Sequence, residues 1–289
     1  MSTLTQTNDG AELAEIARRL RVRIIEMTTT AGSGHPSTSL SSVEIVCALH
    51  FSRMRWDPTN AGWDERDRFI LSKGHGVPVL YAAYAEAGAI PEDELLTLRR
   101  AGSRLQGHPD PARLPFLEAA TGSLGQGLSI ALGLALGAKL DRASWRTYCL
   151  LGDGEIEEGQ VWEAAMSAPR FELDNLCAIV DSNRIQQTSS VAEMLPTLNP
   201  IPEKWKAFSW NVLECDGHDL RQVLEALEEA ERTKGRPTVI VAHTVKGKGV
   251  SFMEDKLDWH GKTASKEQAA QAIGEIEGAP TPERSGGAR

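Results

Sequence analysis

Short apolar runs at 68–71, 147–151, 176–180, 211–215 and 238–242 alternate with segments whose apolar residues recur at helical spacing. That alternation constrains the fold more than any other feature of the chain. Strand, helix and strand close readily as a parallel crossover unit, because parallel neighbours need a long connection. Helical periodicity is clearest at 11–30, where Leu13, Ile16, Ala17, Leu20, Ile24 and Met27 share a face. Further helices are predicted at 41–51, 77–87, 92–99, 157–168, 220–232 and 265–276. The stretch 124–140 is rich in Ala, Gly and Leu and apolar on most sides, which predicts a buried helix. The expectation is an α/β fold with a mostly parallel central sheet and helices on both faces. In such sheets ligands bind beyond the carboxyl ends of the strands. No repeat or low-complexity linker interrupts 11–277, which reads as one domain. It is flanked by a flexible tail at 1–10 and a disordered tail at 278–289, the latter rich in Gly, Pro and charge.

Charge narrows the function classes. The chain has 31 Lys plus Arg against 40 Asp plus Glu, a formal net charge of −9. That is the wrong sign for gripping nucleic-acid phosphates through bulk charge. No polybasic stretch suits an anionic membrane, and no apolar run reaches the roughly 18 residues of a membrane span. The polar N-terminus lacks the features of a secretory signal, so the cytoplasm is the default location. Cys47, Cys149, Cys177 and Cys215 form no CxxC and no zinc-type cluster, and read as small buried hydrophobes kept reduced.

Gly152-Asp153-Gly154-Glu155 directly follows one predicted strand, and Asp181-Ser182-Asn183 ends the next, about thirty residues on. An Asp and an Asn at neighbouring strand ends can give two hard oxygen ligands to one Mg2+ or Ca2+, with a backbone carbonyl past the Asn as a third. The glycines permit close backbone approach, and the following helix N-terminus favours an anion. Two side-chain oxygens leave the shell incomplete, so a substrate or cofactor phosphate should finish it. The plain alternative, a strand-to-helix turn with no ligand, does not account for Asn183 or for the histidines.

The histidines lie in glycine-rich settings: Ser33-Gly34-His35-Pro36, Ser72-Lys73-Gly74-His75-Gly76, Gly107-His108-Pro109 and Trp259-His260-Gly261. With Thr121-Gly122-Ser123-Leu124-Gly125-Gln126-Gly127 and the run 152–164, they make six motifs in one order across 33–261. That set resembles the transketolase family, and specifically its N-terminal, PP-type thiamine-diphosphate-binding domain. The resemblance implies that Asp153, Asn183 and the carbonyl of Ile185 hold the metal, Mg2+ with Ca2+ or Mn2+ as substitutes. His75, Gly122, Ser123, Leu124, Gly154, Glu155 and Asn183 would hold the cofactor. His35, His108 and His260 would act at the sugar's reactive carbon, as imidazoles able to give or take a proton near neutral pH. Glu158 resembles a buried glutamate behind the metal loop near a subunit interface, and Glu163 would join its network.

The implied activity is transfer of a two-carbon ketol unit from a ketose, expected to be a sugar phosphate, to an aldehyde acceptor. The family's pyrimidine-binding domain, which carries the cofactor-activating glutamate and most of the phosphate grip, has no counterpart in these motifs. The expectation is therefore one subunit of a split, cytoplasmic transketolase with a C-terminal partner chain, assembled as α2β2. Two rivals stay open. One is half of another thiamine-diphosphate enzyme, either a 2-oxo-acid dehydrogenase α-like subunit or a two-carbon donor to a carrier protein. The other is a non-catalytic scaffold. His50 and His218 read as structural or capping residues. His243 and the loop Lys246-Gly247-Lys248-Gly249 are left undecided between a phosphate neighbour and a solvated loop. The family's pattern is broken at Ser37-Thr38, at Ser182, and at 186–190, where an expected Asp-Gly is missing.

Overall fold

The computed structural model describes residues 6–278. Its centre is a five-stranded parallel sheet: β1 (Arg68–Leu71), β2 (Thr147–Gly152), β3 (Leu176–Ser182), β4 (Asn211–Asp216) and β5 (Thr238–His243), in the order β1-β2-β3-β5-β4. The helices are α1 (Gly10–Ala31), α2 (Pro36–Leu40), α3 (Val43–Ala48), α4 (Val77–Glu86), α5 (Gln126–Asp141), α6 (Gly159–Arg170), α7 (Val191–Met194), α8 (Ile201–Ala207), α9 (Leu220–Arg232) and α10 (Lys266–Gly278).

Because strand side chains alternate, the sheet feeds two cores. Phe69, Leu71, Tyr148, Leu150, Cys177, Ile179 and Ile240 pack with α1, α3, α4 and α9. Ile70, Cys149, Leu151, Ala178, Val180, Val239 and Val241 pack with α5, α6 and α8 on the other face. The α/β architecture with helices on both faces is therefore as the sequence predicts. All four cysteines are free and buried, in line with the sequence reading. Of the proposed tails, 1–5 and 279–289 lie outside the described residues. Among the described residues the helices reach into the proposed tails: α1 begins at Gly10, capped by the Asp9 side chain, and Gly278 is the last residue of α10.

The predicted helix at 41–51 is corrected. The chain turns at Ser41-Ser42, forms α3, and then widens into a π-helical turn at Leu49–Arg53. The cause is local: the His50 ring bonds the Val46 carbonyl at 3.0 Å, while its own carbonyl accepts the Trp56 indole N–H at 2.7 Å. This imidazole sits edge-on among Trp56, Phe69 and Tyr84, a core residue more than a cap. Among the described residues no helix is long and apolar enough to cross a membrane.

The predicted burial of α5 is also corrected. Its inner side packs on the sheet through Leu128, Ala131 and Ala135, but Ile130 and Leu140 are 37% and 75% exposed. One face of the helix finds the core, and Ile130 and Leu140 on the opposite face stay exposed among the described residues.

Candidate active site

The carboxyl ends of the strands carry the chemistry. Register sets Gly152 opposite Asp181, so the loops leaving β2 and β3 start side by side. Asp153 Oδ1 accepts the Gly154 N–H at 2.8 Å, and Oδ2 accepts the Arg184 N–H. The Asn183 amide oxygen accepts the Ile185 N–H at 3.2 Å. The structure thus brings Asp153 of one loop beside Asn183 and Ile185 of the next. Gly154 is needed there because a Cβ would stand 2.9 Å from that of Gln186.

Burial, and then the charge of Asp181, push the Asp153 carboxyl up to about 6. A buried carboxylate disfavoured in this way is what a divalent cation relieves, and each of the three oxygens keeps a second lone pair. Carboxylate, amide and peptide oxygens form a hard donor set that fits Mg2+ or Ca2+. Among the described residues no cluster of three or more His, Cys, Asp or Glu offers an alternative metal site.

Two lysines stand beside this turn. Lys73, 1% exposed, reaches Ser42 Oγ at 2.6 Å and pairs with Asp181. Burial alone would raise the Asp181 carboxyl, but Lys73, with Ser41 and Thr244, outweighs it and holds the group low. Lys246, also 1% exposed, donates to the Ile185 carbonyl at 3.1 Å and to His260 Nδ1 at 2.8 Å. Burial and the neighbouring Lys73 charge bring its ammonium down to about 8. The loop left undecided at 246–249 is no solvated fringe: Lys246 is buried against the Ile185 carbonyl and His260. His243, in contrast, is exposed and meets Glu214 at 3.0 Å. The His218 ring is bonded to Glu44 at 2.9 Å.

His35 lies just before α2, His75 in a single helical turn after β1, and His260 after the turn Leu257–Trp259. Their rings form one cluster: His35 to His75 at 5.1 Å, and each of these to His260 at 5.5 Å. Burial depresses all three, His35 to about 4 and His260 to about 3, with nearby Arg99 and Lys246 charges adding to it. The imidazoles are neutral at pH 7 and each can both give and take a hydrogen bond. His108 is exposed and joins less tightly, its ring 3.5 Å from where a Gly122 Cβ would stand. Gly122 and Ser123 form an exposed rim, with Leu124 half-buried. His35 and His260 also line a cavity of about 420 Å3 with Gln187, Thr188, Asp258 and Lys262. His35 Nδ1 and Thr38 Oγ1 are buried without a hydrogen-bond partner among the described residues.

The acidic residues of the metal loop are redistributed. Glu155, read from the sequence as cofactor-binding, turns inward and accepts from Ser72 Oγ (2.5 Å), Gly125 N–H (2.9 Å) and Gly152 N–H (3.0 Å). It ties three loops together. Glu158, expected to be buried, is exposed at the N-cap of α6, as is Glu163 one turn further on. Sequence reasoning assigned no role to Lys73 or Asp181 and left Lys246 undecided. The signals were there: a lysine inside Ser72-Lys73-Gly74-His75, and a carboxylate two residues before Asn183.

Comparison with known proteins gives the family. The family model for "Transketolase, thiamine diphosphate binding domain" matches residues 12–280. The chain is 48% identical over 262 residues to "Transketolase-like protein 2" of Bos taurus, covering 90% of this chain and 42% of that protein. It is 44% identical over 266 residues to "6-deoxy-6-sulfo-D-fructose transketolase subunit SqwG" of Clostridium sp. (strain MSTE9), covering 92% of this chain and 96% of that one. The solved transketolase from Leishmania mexicana superposes with a TM-score of 0.86 at 30% identity, over 92% of this chain and 41% of that one. The chain thus spans about two fifths of the length of the full-length transketolases it matches. The protein belongs to the transketolase family and corresponds to its thiamine-diphosphate-binding domain.

Proposed function

We propose that this chain is the diphosphate-binding half of a two-component transketolase, transferring a two-carbon ketol unit from an anionic ketose to an aldehyde acceptor. The observation that carries this reading is the convergence of the hard-oxygen turn Asp153–Asn183–Ile185 with three neutral, ring-packed histidines beyond one sheet edge. When bound, thiamine diphosphate supplies the stabilised carbanion that the chemistry needs. Asp153, Asn183 and the Ile185 carbonyl would hold Mg2+ against the diphosphate, with Gly154 giving close backbone approach. Gly122, Ser123 and Leu124 would line the cofactor.

Lys246 occupies His260 Nδ1, which leaves the ring proton on Nε2. His260 is then a hydrogen-bond donor, suited to polarising a ketose carbonyl. His35 and His75 are neutral and can shuttle protons to and from the sugar hydroxyls, with His108 at the rim. Neutral imidazoles match this task better than imidazoliums, because the same ring must donate and then accept.

A partner chain is supported by the outer stripe of α5, where Ile130, Gly133, Gly137 and Leu140 recur at helical spacing beside exposed Met166 and Glu163 of α6. Contiguous exposed apolar surface of this kind marks interaction faces. Glu158 and Glu163 would be buried only on that association. The relative called SqwG, of similar length, is itself named a subunit. Its name also gives a sulfonated ketose, so the donor's terminal anion is either phosphate or sulfonate. A ketose donor explains three histidines better than a 2-oxo acid would, and an intact oxygen turn argues against a scaffold.

Calorimetry with thiamine diphosphate and Mg2+, in the presence of a chain bearing the pyrimidine domain, tests the reading. Binding that is lost on Asp153→Ala supports it. Absence of binding, or binding indifferent to Asp153→Ala, favours the scaffold.

A further inference from the structure

We propose that Arg21, Glu44 and His218 are positioning residues for Lys246, acting through the two peptide groups that flank it, and that they thereby set the ring tautomer of His260. The inference rests on the reading of Lys246 as part of the candidate site.

Glu44 of α3 is 7% exposed, and Arg21 of α1 is 8% exposed. The Glu44 carboxylate takes a two-pronged contact from the Arg21 guanidinium, at 2.7 and 2.9 Å. It also accepts from His218 Nδ1 at 2.9 Å. The Arg21 Nε and the other ring nitrogen of His218 both go to one loop. Arg21 Nε donates to the Lys248 carbonyl at 3.2 Å, and His218 Nε2 accepts the Val245 N–H at 2.8 Å. Lys246 lies between those two anchor points. Only one neutral tautomer of His218 serves both of its contacts, with the proton on Nδ1, and Glu44 is the group that holds it there.

The loop is shaped to accept this grip. Gly247 has φ +80°, and its N–H donates to the Ser37 carbonyl at 2.9 Å. Gly249 has φ +91°, and a Cβ there would stand 3.2 Å from Arg21 Nε. Ser37 in turn donates to the Trp259 carbonyl at 2.7 Å, next to His260. The backbone on both sides of the Lys246–His260 contact is therefore fixed from behind. A loose loop would let the ammonium swing off Nδ1, and His260 could then carry its proton on either nitrogen.

The direct readout is 15N NMR of histidine-labelled chain, with His260 assigned by His260→Gln. In the wild-type chain His260 Nδ1 should show as the unprotonated nitrogen. Lys246→Met, which removes the donor, should move His260 to a mixture of tautomers. Arg21→Lys keeps the buried positive charge but cannot hold both carboxylate oxygens and the Lys248 carbonyl, because it lacks the planar fork. It should reproduce the Lys246→Met signature in a chain that circular dichroism shows to be folded. His218→Ala should do the same, and His218→Gln, which can donate at one end and accept at the other, should restore the wild-type signal. Thiamine diphosphate affinity in the presence of Mg2+ should fall about 10–100-fold in Arg21→Lys, the range for groups that orient a ligand's ligands. An unchanged His260 tautomer in folded Arg21→Lys and His218→Ala overturns the positioning role. If instead the tautomer shifts but Lys246→Met leaves cofactor affinity unchanged, the positioning role stands and the placement of Lys246 in the cofactor site is wrong.

Discussion

One buried carboxylate closes this site from below. Glu155 satisfies Ser72, Gly125 and Gly152 at once, with two donors on one oxygen and one on the other. Replacing it with Gln would set an NH2 against a backbone or hydroxyl donor. Glu155→Gln is expected to cost about 1–3 kcal/mol, the price of an unsatisfied buried donor, and urea unfolding checks it. Close approach is as strict at Gly74, where a Cβ would lie 2.2 Å from the Thr121 carbonyl oxygen. Gly74→Ala should destabilise by about 1–3 kcal/mol through overpacking, since two backbones would have to part; thermal unfolding measures the loss. The residue scale is also where the sequence was most uneven as a guide. The histidines were legible because each sits in glycine or proline context that a plain core imidazole does not need. Lys73 was not, and Lys246 was left undecided, because their partners lie 108 and 61 residues away in the chain and no local periodicity records such a pair. Glu155 escaped as an internal acceptor for the same reason: two of its donors, Ser72 and Gly125, lie 83 and 30 residues away.

Elements were read better than residues. The five strands and the long helices follow from period-2 and period-3.6 patterns, which sequence displays directly. The π-turn after α3 escaped because it depends on one imidazole bonding back to Val46. α5 was read correctly as a helix and wrongly as fully enclosed. Its apolar outer stripe, with Ile130 at 37% and Leu140 at 75% exposure, is a face left uncovered among the described residues. Leu140→Glu and, on α6, Met166→Glu should therefore leave chain stability within about 0.5 kcal/mol of wild type, as surface changes do. Both should weaken association with a partner chain, as seen by size-exclusion or sedimentation. Unweakened association would remove the outer stripe from the interface.

At the scale of the whole molecule, a parallel sheet separates structure from chemistry. Two apolar cores fill its faces, while the titratable groups converge beyond its carboxyl edge. Buried neutral histidines make that arrangement sensitive to acid. Burial lowers His50 to about 4 from an ordinary 6.5. Its folded value lies below its unfolded one, so its contribution is fully present above pH 6.5 and is lost as pH falls toward 4. A shift of that size corresponds to about 3 kcal/mol, at 1.36 kcal/mol per unit. Unfolding free energy should fall over this window, and His50→Phe, which keeps a ring among Trp56, Phe69 and Tyr84, should flatten the slope. His35 and His260 are depressed in the same direction, so part of the slope should persist in that variant.

The most direct test of the account is reconstitution. Ketol transfer from a phosphorylated or sulfonated ketose to an aldehyde is measured with thiamine diphosphate and Mg2+, for this chain alone and mixed with a chain carrying the family's pyrimidine-binding domain. The account predicts no turnover by the chain alone, turnover by the mixture, and loss of that turnover on Asp153→Ala. Full turnover by the chain alone, or turnover by the mixture that survives Asp153→Ala, would contradict it.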